Sequence, residues 1–351
     1  MTIGRRIAIV LFNLGGPDRP EAVEPFLFNL FNDPAIFRLP RLPRFLLAKF
    51  VARRRAPLAR EIYAHLGGRS PLLANTVAQA RALEHALAGL GNVRAFPCMR
   101  YWHPRSDAVA MAVREFHPEQ IVLLPLYPQY STTTTASSLA DWQRAATAAG
   151  LAVDSRTVCC YPVEPGLVEA MAALVDAGRG RLPAGGKPAR ILFSAHGLPR
   201  RVVDRGDPYV EQVSATAQAV AGRLGLAAAD WLLCFQSRVG PLEWVTPYTD
   251  QEIVRAGADG VPLVVAPVAF VSEHSETLVE LDRDYRKLAQ ESGVPAYERV
   301  ATVGTTPAFI AGLARLVRQR LAAAVPLASG EGPRRCSADR RCCPMAPAAA
   351  S

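Results

Sequence analysis

Three stretches of this 351-residue chain occur twice, in the same order. IAIVLFNLGGP (7–17) resembles ARILFSAHGLP (189–199), each an apolar run ending in a Gly-containing turn and a proline. FPCMRYWHP (96–104) has its counterpart in LLCFQSRVGP (232–241), and IVLLPLYPQYSTTTTASSLADW (121–142) in LVVAPVAFVSEHSETLVELDRDY (263–285). The runs at 7–14, 121–127, 191–194, 231–235 and 263–271 have the length and β-branched content of buried strands. Helical patterns lie between them, as at 76–90, 168–177 and 208–224. Strands alternating with helices require parallel sheets covered on both faces. The repetition predicts a duplicated α/β unit, a break near 160–188 containing the loop PAGGKP, and a ligand in the cleft between the halves at the strand ends. The division expected is 1–165, 166–325 and a tail, 326–351, too rich in Ala, Gly, Pro and Arg to carry its own core.

Charge and cysteine usage narrow the setting. Formal net charge is +9, with 40 basic against 31 acidic residues, which suits an anionic partner surface. No apolar run approaches the ~20 residues of a bilayer span. The opening MTIGRRIAIVLFNL reads as a first strand rather than a signal peptide, so a cytoplasmic location is expected. Seven cysteines, three of them in the tail, argue against a disulfide framework and leave metal binding open. Residues 38–60 hold eight basic residues and no acidic one. Leu42, Phe45, Leu46 and Phe50 recur there at helical spacing, the pattern of a helix lying on a membrane interface. The plainer alternative is a basic surface helix whose apolar face packs on the core. No nucleic-acid motif accompanies the charge, and no nucleic-acid partner is expected.

The stretch 263–285 concentrates the chemistry. Ser272 is a suitable N-cap for a helix on which Glu273, Glu276, Glu280 and Asp284 fall at steps of three, four and four, on one face, with His274 in the first turn. Such a line can conduct a divalent metal or protons, or can be merely the wet face of an amphipathic helix. His196, directly after a buried strand, is held at the strand's carboxyl end, where an imidazole serves as proton acceptor or metal ligand. Arg100, Tyr101, Tyr127, Tyr130, Ser131 and Trp244 would line the cleft with aromatic area and one guanidinium, suiting a flat apolar ligand that bears carboxylates.

NLGGP (13–17), LGGRSPL (66–72), MRYWHP (99–104), YPQYSTTTTASS (127–138), FSAHGLP (193–199), RGDPY (205–209), QSRVGPLEW (236–244) and AFVSEHSETLVELD (269–282) together resemble the ferrochelatases, over roughly residues 5–325. The resemblance implies two Rossmann-like, doubly wound domains with the active site between them. It implies insertion of Fe2+ into protoporphyrin IX to give protohaem, with coproporphyrin III as the alternative substrate and a non-catalytic porphyrin carrier as the remoter reading. By position, His196 resembles the essential histidine and Glu276 the acid opposite it, the two meeting the incoming Fe2+. His274, Glu280 and Asp284 resemble the rest of the metal or proton path. Leu14, Tyr63, Ser70, Arg100, Tyr101, Tyr127 and Trp244 fall at pocket-lining positions, Arg100 and Ser70 being candidates for propionate or polar contacts. Residues 34–57 match the apolar lip of the pocket, which implies peripheral contact with the inner face of the cell membrane. Some members carry a 2Fe–2S cluster, for which Cys336, Cys342 and Cys343 resemble the tail ligands. The segment that supplies the internal ligand in the animal pattern is matched here by STTTT, so that ligand falls to Cys159 or Cys160. Reduced thiols or a zinc site are the alternatives.

Overall fold

The computed structural model describes residues 5–330, 332, 334 and 336–346. The chain divides into two compact units, residues up to Cys160 with Leu313–Gly330, and Tyr161–Gly312 with the residues from 331 onward. The first contains β1 (Arg6–Asn13), β2 (Asn92–Met99), β3 (Gln120–Pro125) and β4 (Ser155–Val158). The second contains β5 (Arg190–His196), β6 (Trp231–Gln236), β7 (Leu263–Pro267) and β8 (Tyr297–Arg299). All the strand pairs are parallel. The sheet orders, β2-β1-β3-β4 and β6-β5-β7-β8, repeat one pattern, and the three duplicated stretches fall on corresponding strands.

Burial explains the unbroken apolar runs. Every residue of β1 from Ile7 to Asn13 is buried, because helices cover both faces of its sheet. Ala8, Val10 and Phe12 join Phe96, Ile121 and Leu123 in one cluster, where Phe12 meets Trp142 edge-on at 6.0 Å between centroids. In the second unit Leu192, Leu263 and Val265 pack with Ile253 and Leu281. Each large side chain buried in this way stabilises the fold by roughly 1.5–3 kcal/mol.

Proline sets where the strands stop. The runs read as strands to 127 and 271 end instead at Pro125 and Pro267, since proline has no N–H with which to continue a ladder. The chain after Pro267 therefore turns early, and the helix expected from Ser272 begins at Glu276 as a π-helix, Glu276–Asp284.

The basic helix Arg41–Ala64 differs from its plainer reading. It packs a face of small residues, Ala48, Ala52 and Ala56 with Tyr63, and so can lie close to the preceding helix Val23–Phe31. Its large apolar residues face outward, with Leu42 69% and Phe50 64% exposed. Only Phe45 among them finds an aromatic partner, Phe28, edge-on at 5.3 Å. Among the described residues no helix is long and apolar enough to cross a membrane.

The segment after 326, expected to have no core of its own, docks on its neighbours. Leu327–Ala328 forms β9, which pairs parallel with β4 and extends the first sheet. Ser337 and Arg340 bond to Glu211 within the second unit.

Candidate functional site

Two neighbouring strands of the second unit end side by side and deliver His196 and Gln236 in register. Gly197 follows His196 where a Cβ would stand 3.2 Å from both the Gln236 carbonyl oxygen and the Trp244 ring. The loop is closed by the bridge between Pro199 and Trp244 and by Val245 N–H donating to the Leu198 carbonyl at 3.0 Å. His196 is thereby fixed edge-on to Trp244, with ring centroids 6.2 Å apart. Tyr209 Oη donates to the His196 main-chain carbonyl at 3.0 Å.

The π-helix brings the acids. Glu276 Oε2 lies 3.0 Å from His196 Nδ1 and 3.7 Å from His274 Nε2. A carboxylate can only accept, so His196 carries its hydrogen on Nδ1 and keeps the Nε2 lone pair free. His274 Nδ1 donates to the Ser272 carbonyl at 3.2 Å, and its ring packs on Phe270. Glu280 accepts from Ser237 N–H at 2.9 Å, from Tyr285 Oη at 3.1 Å, from Gln236 Nε2 at 3.3 Å and from the Ser237 hydroxyl. Ser237 adopts a left-handed conformation, φ 64°, that a non-glycine residue rarely takes, and this aims its N–H at the carboxylate.

These surroundings push the groups in different directions. Burial opposes charge on His196, but the Glu276 carboxylate overrides it and raises the imidazole above its ordinary pKa. Burial likewise penalises ionised Glu276, yet the adjacent His196 and His274 hold it well below the usual carboxylate range. Glu280 is raised, by burial and by the charge of Glu276. One carboxylate stays ionised while its neighbour takes a proton more readily, the separation by which acid and base roles are told apart. His196 is 36% exposed, enough to meet a substrate.

In the first unit, Leu14, Tyr63 and Tyr101 gather in one cluster with Trp102. Ser70 lies over Gly16 so closely that a Cβ there would sit 2.5 Å from its side chain. Arg100 is held by three side chains, with Nη2 2.8 Å from Asp33, Nε donating to Ser137 at 2.7 Å and Nη1 in a looser ion pair 3.7 Å from Asp141. Tyr101 Oη and the Ser137 hydroxyl also donate to Asp33, which is only 2% exposed.

A family model described as Ferrochelatase matches residues 6–321. The chain is 57% identical over 314 residues to a ferrochelatase of Phenylobacterium zucineum, covering 88% of this chain and 90% of that one. It is 51% identical over 345 residues to one of Caulobacter vibrioides, covering 97% of each. The chain belongs to the ferrochelatase family. Membership implies insertion of a metal into a porphyrin. Among solved structures, SirB from Bacillus subtilis with Fe3+ superimposes with a TM-score of 0.52 at 14% identity, over 91% of this chain and 96% of that one, which supports the two-sheet chelatase fold.

The structure brings His196, Glu276, His274, Glu280 and Trp244 together within the second unit, and Leu14, Tyr63, Ser70, Arg100 and Tyr101 around the carboxyl end of β1. Tyr127 packs on the Trp142 cluster, within electrostatic reach of Arg100. One acid leaves the expected line. Glu273 precedes the helix and turns to Arg299 at 2.7 Å and Thr302 N–H at 2.9 Å, while Asp284 is exposed. Arg100 is no free guanidinium, because buried Asp33 neutralises it. Asp33, Ser237, Tyr285 and Tyr209 were missed. Ser237 stood inside QSRVGPLEW and Tyr209 inside RGDPY, but nothing in FNDPA marked Asp33 as buried.

The thiols do not assemble as the resemblance implied. Cys336 and Cys343 hydrogen-bond to each other, and that contact pushes the Cys336 thiol up. Cys342 turns away and donates to the Arg205 carbonyl at 3.4 Å. Cys159 and Cys160 stand 3.3 Å apart, sulfur to sulfur, in the first unit. Among the described residues no three His, Cys, Asp or Glu side chains are grouped to hold a metal ion. A pair of facing thiols is half the set a 2Fe–2S cluster needs.

The pair at 3.0 Å predicts a titration. In histidine NMR spectra the His196 ring is expected to titrate above its ordinary value, and Glu276→Gln to lower it, because burial is then opposed by the charge of Glu280 alone. An unchanged value in Glu276→Gln contradicts the pairing.

Proposed function

We propose that this chain inserts Fe2+ into protoporphyrin IX, forming protohaem and releasing two protons. The observation that carries the reading is His196 with its Nδ1 3.0 Å from Glu276 Oε2, a pairing that makes Nε2 the lone-pair nitrogen of the neutral ring. For each pyrrole N–H, Nε2 forms the new N–H bond as the pyrrole nitrogen keeps the electron pair that then binds iron. Glu276 stabilises the imidazolium so formed, and Glu280, whose proton affinity is raised, is the next group able to hold the proton. His196 and His274 both pair with Glu276, and Gln236 Nε2 donates both to the Glu276 main-chain carbonyl and to Glu280, contacts that suit a proton path along this line. Distortion of the macrocycle, which exposes nitrogen lone pairs, would be driven by substrate binding.

The neutralised state of Arg100 favours protoporphyrin, with two propionates, over coproporphyrin III, with four carboxylates, because a guanidinium tied to Asp33 has less charge to offer. A carrier reading leaves the opposed pKa shifts of Glu276 and Glu280 without a use. Anaerobic metallation with ferrous iron is expected to turn over protoporphyrin IX faster than coproporphyrin III. His196→Ala should lower turnover by about 100-fold or more while porphyrin still binds. Near-normal turnover in that variant removes the assigned role, and a preference for coproporphyrin moves the enzyme to the other substrate.

The exposed face of Arg41–Ala64 supports peripheral contact with an anionic bilayer. Leu42, Leu46 and Phe50 supply apolar area beside the basic side chains, which suits insertion at a headgroup boundary. The chain is expected to sediment with phosphatidylglycerol vesicles and far less with phosphatidylcholine, and Phe50→Glu to weaken binding. Equal recovery with both lipids and both proteins rejects the contact.

A further inference from the structure

RGDPY (205–209) takes no part in the proton chemistry, yet six hydrogen bonds from the C-terminal segment converge on it and on the next turn of helix. Glu211 accepts from Ser337 N–H at 2.9 Å, from Ser337 Oγ at 2.6 Å and from Arg340 Nε at 2.9 Å. Gln212 Nε2 donates to Cys336 Sγ at 3.1 Å. Cys342 N–H donates to the Gly206 carbonyl at 3.1 Å, and its thiol to the Arg205 carbonyl. Gly206 itself, at φ 94°, has no room for a Cβ, which would fall 2.8 Å from Arg341 N and 2.9 Å from the Asp339 carbonyl oxygen. Two residues before Glu211 in the same helix, Tyr209 is capped by Asp207 and donates its hydroxyl to the His196 carbonyl.

We infer that residues 336–342 are a clamp that positions the acid–base histidine, acting through Tyr209. The segment fixes the first turn of the helix Tyr209–Arg223, this turn fixes the Tyr209 hydroxyl, and the hydroxyl anchors the end of β5 from which the imidazole projects. Glu211 is the hub, since it alone takes three hydrogen bonds from the segment, one of them charge-assisted. Glu211 and Tyr209 are positioning residues, neither touching the reacting atoms. The inference rests on His196 as proton acceptor. One readout is kcat against porphyrin KM, since a misplaced imidazole slows proton transfer without loosening the porphyrin. The other is the acid limb of the pH–rate profile, which moves to lower pH as the imidazole loses Glu276, the nearer of the two carboxylates, Glu276 and Glu280, that raise it.

The test compares full-length wild type, Glu211→Gln, Tyr209→Phe, the double variant and His196→Ala, by kcat against pH and by porphyrin KM. Each single positioning variant is expected to lower kcat roughly 10-fold, leave KM nearly unchanged and shift the acid limb downward. The double variant should be no worse than Tyr209→Phe, as two substitutions along one chain of contacts do not add. A wild-type kcat and acid limb in Glu211→Gln, or effects that multiply in the double variant, overturn the clamp. Circular dichroism checks each fold, and Arg340→Gln reads the same contact from the other side should Glu211→Gln fail to fold. His196→Ala separates the two failures. An active His196→Ala removes the proton-acceptor reading, whereas an inactive one beside a wild-type-like Glu211→Gln removes the clamp alone.

Discussion

The 3.0 Å contact between His196 Nδ1 and Glu276 Oε2 is the interaction on which the rest of the second unit depends. An imidazole at a strand end and a carboxylate at a helix start come from residues 80 apart in sequence. They meet because β5 lies between β6 and β7 in the sheet and Pro267 cuts β7 short, so that the chain turns back in time to present Glu276. Partly buried, each group would be poorly placed alone. Together, the carboxylate keeps the imidazole basic and the imidazole keeps the carboxylate ionised.

Around this pair the protein spends conformational strain where it has a chemical use. Ser237 sits in the left-handed region so that its N–H and hydroxyl both reach Glu280. The helix carrying both acids is a π-helix, a form that is frequent at functional sites. Four donors surround Glu280 without a cation among them, so burial and the charge of Glu276 raise its proton affinity instead of lowering it. Two carboxylates on one helix thus acquire different tasks from their surroundings alone.

Much of this could be read in the sequence, for reasons that are themselves physical. Internal repetition gave away the duplicated sheets, since equivalent strands buried on both faces need equivalent apolar runs. His196 could be singled out because Gly197 and Pro199 mark a tight loop, whereas helical steps gathered four acids among which the family resemblance picked Glu276. What could not be read depended on long-range partners. Spacing put Glu273 on the acidic face, but Arg299, a residue of β8, takes it. Arg100 looked like a substrate ligand because nothing local in sequence announces Asp33, 67 positions earlier, as its buried counter-charge. Periodicity found the apolar face of Arg41–Ala64 but could not tell that alanines would do the packing and leave the large residues outside. Composition told that the tail has no core of its own but not where it docks, which polar contacts to Glu211 and an edge strand decide.

The proton-accepting role of His196 is tested most directly by chemical rescue. In His196→Gly, imidazole added to the anaerobic assay should restore metallation of protoporphyrin IX in proportion to its neutral form, with an acid limb that follows the pKa of free imidazole rather than that of the wild-type enzyme. Substituted imidazoles of lower pKa should move that limb with them. Porphyrin bound normally by His196→Gly yet metallated no faster with imidazole present, at any pH, would contradict a proton taken up at this position.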